Sequence, residues 1–298
     1  MRKLIIGTRG SKLALWQAYY TQEQLKALGF ESELKIIKTQ GDRIQHLSFD
    51  KMEGKGFFTK EIEAALLEGE IDLAVHSMKD MPTTQPKGLK LSAVSYRDKV
   101  ADLLLIRKEV VAAKELLGLP PNAIVGTSSA RRKAQILDFR PDLEIKDIRG
   151  NVPTRLNKLK EGQFDAILLA AAGVNRLEIP LDEFEVFEFD PREFVPAPAQ
   201  GVLVWQCRSE DLQTQRIIAK LHKKEVVACT NVERRLLQLF DGGCQMPLGA
   251  YCYKENGSYH AYAAVAKSWN SPVKRVQLSA STHTKLAEGL YALLQEEA

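Results

Sequence analysis

No two of the four cysteines form a C-x-x-C pair: Cys207, Cys229, Cys244 and Cys252 are spaced like neither a zinc ribbon nor a dense disulfide framework. None of the five histidines stands in an H-E-x-x-H arrangement, and a Walker A loop and a dinucleotide G-x-G-x-x-G are also missing. Zinc hydrolysis, nucleotide binding through these loops and a metal site therefore have no support in the sequence. Long apolar runs are missing too. ILLAAAGV (167–174) cannot span a bilayer, and LII at 4–6 is too short for a signal-peptide core. The expectation is a cytoplasmic chain, or a mature organelle form, with no membrane partner. Aromatic residues make up only 7% and the net charge is only +4, which argues against a chain that binds nucleic acid by unspecific attraction or base stacking.

What is present is ordinary globular composition, 45% hydrophobic and 27% charged over 298 residues, enough for two or three cores. Short β-rich runs alternate with helical patterns from residue 3: KLIIGT, SKLALWQAYYTQEQLKALG, ELKIIKT, FTKEIEAALLEGE, IDLAVHS. A second block of the same kind starts near residue 100, with AIVGTSS, ARRKAQILDF, LEIKDIRG, VPTRLNKLKEGQ and DAILLAA. FVPAPAQG (194–201), with two prolines in eight residues, reads as a hinge or crossover, after which VLVWQC is a strand. From residue 225 one long helical pattern leads to GAYCYKE, an Asn256-Gly257 turn, YHAYAAVAK, KRVQLSA and a closing helix. An Asn-Gly between alternating strands marks a hairpin, so this part reads as a small α+β domain on an antiparallel sheet.

Three features could carry chemistry. HSMKD follows the strand IDLAV directly, at the carboxyl end where open α/β sheets bind ligands; Lys79 and Asp80 there face a cleft or form a solvated surface pair. TRGS, GTSSARR and GNVPTR each open a helix, where hydroxyls, arginines and free backbone amides suit anions, though plain N-caps use the same residues. The segment 126–176 holds Arg131, Arg132, Lys133, Arg140, Lys146, Arg149, Arg155, Lys158, Lys160 and Arg176, a cation density that suits a carboxylate- or phosphate-bearing ligand. The third is DGGCQMPLG (241–249). No base other than Asp241 stands near Cys244, so a triad-type nucleophile is disfavoured, and buried filler or a point of attachment remains.

TRGSKLALWQ, KGFFTKEIE, HSMKDMP, GTSSARR, RGNVPTRL, AAAGVNRL, PAPAQG and GGCQMPLG occur in one order, and together they resemble the porphobilinogen deaminase (hydroxymethylbilane synthase) family from about residue 3 to 250. The resemblance implies a transferase of tetrapyrrole biosynthesis that condenses four porphobilinogen molecules head to tail and acts as a monomer. It implies a dipyrromethane cofactor joined by a thioether to Cys244, with Asp80 as the catalytic carboxylate. Cofactor binding is carried over to Lys79, Thr127, Ser128, Ser129, Arg131 and Arg132, and substrate binding to Arg9, Ser11, Gln17, Lys55, Arg149, Arg155 and Arg176. Residues 41–56 resemble the family's mobile loop. The implied fold is α/β in three domains: two periplasmic-binding-protein-like lobes with a cleft between them, and a small C-terminal domain with a three-stranded antiparallel sheet. The boundaries are 1–98 with 197–220, 99–196, and 221–298; only the resemblance returns the chain to domain 1 after PAPAQG. Met246, where the family more often has valine, and Arg235, where a small residue is common, depart from its pattern.

Overall fold

The computed structural model describes residues 3–39, 59–241 and 246–296. The chain forms two compact units. The first gathers the described residues up to Asp98 together with Gly201–Val227; the second gathers Lys99–Gln200 and the described residues from Ala228 on.

The first unit is built on a five-stranded sheet in the order β2-β1-β3-β10-β4, where β1 is Leu4–Thr8, β2 Ser32–Ile36, β3 Leu73–Ser77, β4 Leu89–Arg97 and β10 Val202–Arg208. β1, β2 and β3 run parallel, and β10 enters antiparallel between β3 and β4. Parallel strands need helices on their faces. Helix α1 (Lys12–Ala27) covers one face with Ala18 and Leu25, in a core shared with Ile6, Val75, Leu203 and Trp205. Trp205 is buried to 1% exposure, and its indole donates to Thr21 Oγ1 on α1 at 3.0 Å, so the largest core residue keeps its polar atom satisfied. Helix α2 (Lys60–Leu67) covers the other face with Ile62, Ala65 and Leu66.

The second unit repeats the plan. Its sheet runs β7-β6-β8-β5-β9, with β5 Asp102–Arg107, β6 Ile124–Gly126, β7 Glu144–Lys146, β8 Ala166–Ala170 and β9 Phe184–Glu188. Again three strands are parallel and the fourth, β5, is antiparallel, paired with β8 and β9. Two buried clusters lie on its faces, one around Leu105, Leu156, Leu159 and Ile167, the other around Leu104, Val125, Ile136 and Phe194. They draw in α3 (Ala130–Phe139) and α4 (Val152–Lys160); α5 (Ala171–Arg176) follows β8 directly.

Helix α6 (Leu212–Ile218) returns the chain to the first sheet's helix layer, and α7 (Lys224–Leu239) leads to a three-stranded antiparallel sheet of β11 (Leu248–Glu255), β12 (Ser258–Val265) and β13 (Lys274–Ala280). Asn256 and Gly257 both take positive φ, and Glu255 pairs with Ser258, as the Asn-Gly signal predicts. Val232, Leu236, Ala250 and Ala263 pack with Leu290 of the closing helix α8 (Leu286–Gln295). The architecture is thus mixed α/β: two sheet-and-helix lobes and a small three-stranded antiparallel sheet. Two strands had no clear sequence signal, β4 and β9, both at sheet edges.

Candidate active site

In each large sheet the chain runs from the first of its parallel strands, β1 or β6, to one neighbour and then crosses to the other side, which makes a switch point between β1 and β3 and another between β6 and β8. Strand ends diverge there, and the carboxyl side of such a point is where open α/β sheets bind ligands.

In the first unit, Arg9 directly follows β1 and Ser11 caps α1, its hydroxyl accepting from the Ala14 N–H at 3.3 Å. Gln17, one turn further along, is buried and donates to Ser77 Oγ at 2.9 Å, which ties α1 to the end of β3. Past Ser77 the chain makes one tight turn, Met78–Asp80. Met78, which opens the turn, and Met81, which follows it, are buried, while Lys79 is partly exposed and Asp80 exposed. His76 is buried just before the turn. Burial pushes its ring down to about 4, Gln206 beside it pulls the other way, and the charge of Arg9 adds to the lowering. The first unit therefore brings Arg9, Ser11, Gln17, Lys79 and Asp80 to the ends of two neighbouring strands.

In the second unit, Thr127, Ser128 and Ser129 join β6 to α3. Ser129 caps the helix, accepting from Arg132 N, and Thr127 Oγ1 accepts from Ser129 N at 3.3 Å. Ser128 is bound on both sides by one residue: its hydroxyl donates to Ile148 O at 2.9 Å and accepts from Ile148 N at 3.0 Å. Arg131 and Arg132 point inward. Arg131 Nη1 donates to Asp102 Oδ2 at 2.7 Å and to Val195 O at 3.0 Å; Arg132 reaches Asp102 Oδ1 through Nε and Nη2 and Leu168 O through Nη1. Two guanidiniums against one carboxylate leave this buried cluster with one net positive charge. An anionic ligand group would balance it, since an uncompensated buried charge is costly. Asp102, fully buried, is held well below the ordinary carboxylate range by the adjacent Arg131 and Arg132, which outweigh the cost of its burial.

Asn151 caps α4 by accepting from Thr154 N at 3.0 Å, and Gly150 before it has φ +112, a conformation that other residues rarely adopt. Arg155 Nε donates to Gly150 O at 2.8 Å, Lys158 donates to Arg149 O, and Arg176 lies buried at the end of α5. The other cations of this segment have carboxylate partners: Lys133 with Asp147, Arg140 with Asp142, Lys146 with Glu144 and Lys160 with Glu183. Charge density alone thus overstates the cations available to a ligand. Cys244, Lys55 and the 41–56 loop lie outside the described residues.

A family model described as "Porphobilinogen deaminase, dipyromethane cofactor binding domain" matches residues 4–216. The chain belongs to the porphobilinogen deaminase family. Relatives named porphobilinogen deaminase agree: one from a Nitratiruptor species is 48% identical over 83% of this chain and 77% of its own length. One from Maridesulfovibrio salexigens is 45% identical over 92% of this chain and 88% of its own. The chain is also similar to solved structures of an arginine-specific periplasmic binding protein of Salmonella typhimurium (13% identity, TM-score 0.44, 74% of this chain and 92% of that) and a putative methionine-binding lipoprotein of Bacillus subtilis (12%, 0.45, 80% and 96%). A porphobilinogen deaminase is a transferase that joins four porphobilinogen molecules head to tail on a dipyrromethane cofactor, releases ammonia at each addition and frees hydroxymethylbilane by hydrolysis.

Sequence reasoning did not anticipate the burial of Asp102, its contact with Gln200 or the burial of His76. A signal for Asp102 existed: an acid that opens the apolar strand DLLLIR demands a buried partner. The two departures from the family pattern sit quietly. Arg235 pairs with Glu288 at 2.8 Å on the surface, and Met246 packs against the core of the small sheet.

Proposed function

We propose that Asp80 is the catalytic carboxylate of the porphobilinogen deaminase reaction in this chain. Arg9, Ser11, Gln17, Arg149, Arg155, Arg176 and Lys55 bind the carboxylates of the substrate and the growing chain. The observation that carries this reading is the tight turn after β3, which holds Lys79 and Asp80 outward at a switch point between two buried methionines. A carboxylate there accepts the pyrrole N–H, offsets the positive charge that develops as ammonia leaves, and takes up the proton lost when the new carbon–carbon bond forms. Each substrate brings an acetate and a propionate, which suits a site lined by guanidiniums and helix N-termini.

The cofactor is held, on the same reading, by a thioether to Cys244 and by Lys79, Thr127, Ser128, Ser129, Arg131 and Arg132. The excess positive charge of the Asp102 cluster fits the cofactor's carboxylates. When bound, the dipyrromethane supplies the pyrrole carbon to which the first substrate is joined. The chain acts as a cytoplasmic monomer of three domains, 1–98 with 197–220, 99–196 and 221–298, a division supported by one sheet in each. In the Asp80→Asn variant, the rate of hydroxymethylbilane formation should fall at least roughly 100-fold with an unchanged circular dichroism spectrum. Near-normal turnover would remove Asp80 from this role.

A further inference from the structure

Glu233 is an acid inside a core. It sits on α7 at 1% exposure, and both of its oxygens take backbone amides from distant parts of the second unit: Oε2 accepts from Ala199 N at 2.6 Å and Oε1 from Cys252 N at 2.8 Å. Cys252 lies on β11. Ala199 belongs to the crossover PAPAQG and has φ +63, left-handed backbone in which a side chain is strained, so something must hold it there. Prolines at 196 and 198 have no N–H, which leaves the crossover few donors by which it can be fixed.

The crossover in turn supports the arginine cluster. Val195 O accepts from Arg131 Nη1 and from Gln135 Nε2, while Val195 N donates to Gln135 Oε1 at 2.7 Å. Gln200 Nε2 donates to Asp102 Oδ1 at 3.1 Å and to Val100 O at 2.7 Å. On its other side Pro196 O accepts from Ala250 N at 2.9 Å. A displacement at Ala199 would therefore be felt at both carbonyl and amide supports of the Asp102–Arg131 pair.

We propose that Glu233 is a positioning residue for the Asp102–Arg131–Arg132 cluster, acting through the Val195–Gln200 crossover and keeping it in register with β11. This inference rests on the assignment of Arg131 and Arg132 to cofactor binding. A carboxylate suits this place because the backbone amides of Ala199 and Cys252 are both donors; a glutamine turns its NH2 toward one of them and leaves an N–H opposed.

The test compares Glu233→Gln, Ala199→Gly, the double variant and Ala199→Val, each produced in cells that make porphobilinogen. The fraction of protein carrying a two-pyrrole adduct is read by intact mass spectrometry, with circular dichroism as the check on folding. Glu233→Gln should lose at least half of the wild-type loading with an unchanged spectrum. Ala199→Gly, which adopts the left-handed backbone without strain, should load normally alone and restore loading in the double variant. Ala199→Val strains the same peptide without touching Glu233 and should reproduce the loss, which keeps the test decisive if Glu233→Gln fails to fold. Normal loading of a folded Glu233→Gln or of Ala199→Val, or a double variant no better than Glu233→Gln, would overturn the proposal while leaving the cofactor assignment standing. Wild-type protein without an adduct would overturn both.

Discussion

Asp102 and His76 are buried ionisable residues kept in opposite charge states. Asp102 is a carboxylate whose negative charge is met by Arg131, Arg132 and the amide of Gln200. Its lowered pKa gives stability that is present above the ordinary aspartate range and is lost only as the pH falls through the depressed value. His76 is neutral because burial pushes it down to about 4. The unfolded chain takes up this proton near pH 6.5 and the folded one only near 4, so His76 should remove stability progressively as the pH falls from about 6.5 to about 4, on the order of 3 kcal/mol in total. Urea midpoints measured across that window should fall more steeply for the wild type than for His76→Gln; equal slopes would show that the ring titrates normally. Neither state was legible in the sequence, because HSMKD and DLLLIR show the residue types but not what surrounds them.

At the scale of elements, the helix-strand rhythm of both lobes could be read from residue patterns, since α2 carries an apolar face, the central parallel strands are short apolar runs, and α1, α3 and α4 open on Ser or Asn caps. The edge strands could not: β9 is exposed along most of its length and β4 intersperses Lys, Ser, Tyr and Arg among its apolar residues, so their sequences lack an apolar run. The pairing of β10 with β3 joins Leu203 to Ser77, more than a hundred residues apart, and no local pattern encodes such a partner. Close approach between elements is equally invisible. Gly249 on β11 lies where a Cβ would come within 2.4 Å of Val195 O, a backbone atom that cannot step aside. Gly249→Ala should therefore lower the stability of the fold by roughly 2–4 kcal/mol, seen as a lower urea midpoint. A midpoint within error of the wild type would show that β11 and the crossover are free to separate.

At the scale of the whole molecule, the two large sheets share one strand layout and carry the proposed binding residues at equivalent places, the ends of the strands that flank each switch point. The family model and the relatives match over most of the chain, so family membership was the most legible part of the sequence. How the positive charge is distributed was not legible: four cations of the arginine-rich segment serve ion pairs, while Arg131 and Arg132 form a cluster with a carboxylate from a strand outside that segment. The proposed chemistry divides between one thiol, Cys244, which anchors a primer, and one carboxylate, Asp80, which acts at every addition. Intact mass spectrometry of protein made in porphobilinogen-producing cells tests it most directly. The wild type should exceed its sequence mass by two pyrrole units and Cys244→Ser should not; an unmodified wild type, or an adduct that survives in Cys244→Ser, would contradict the account.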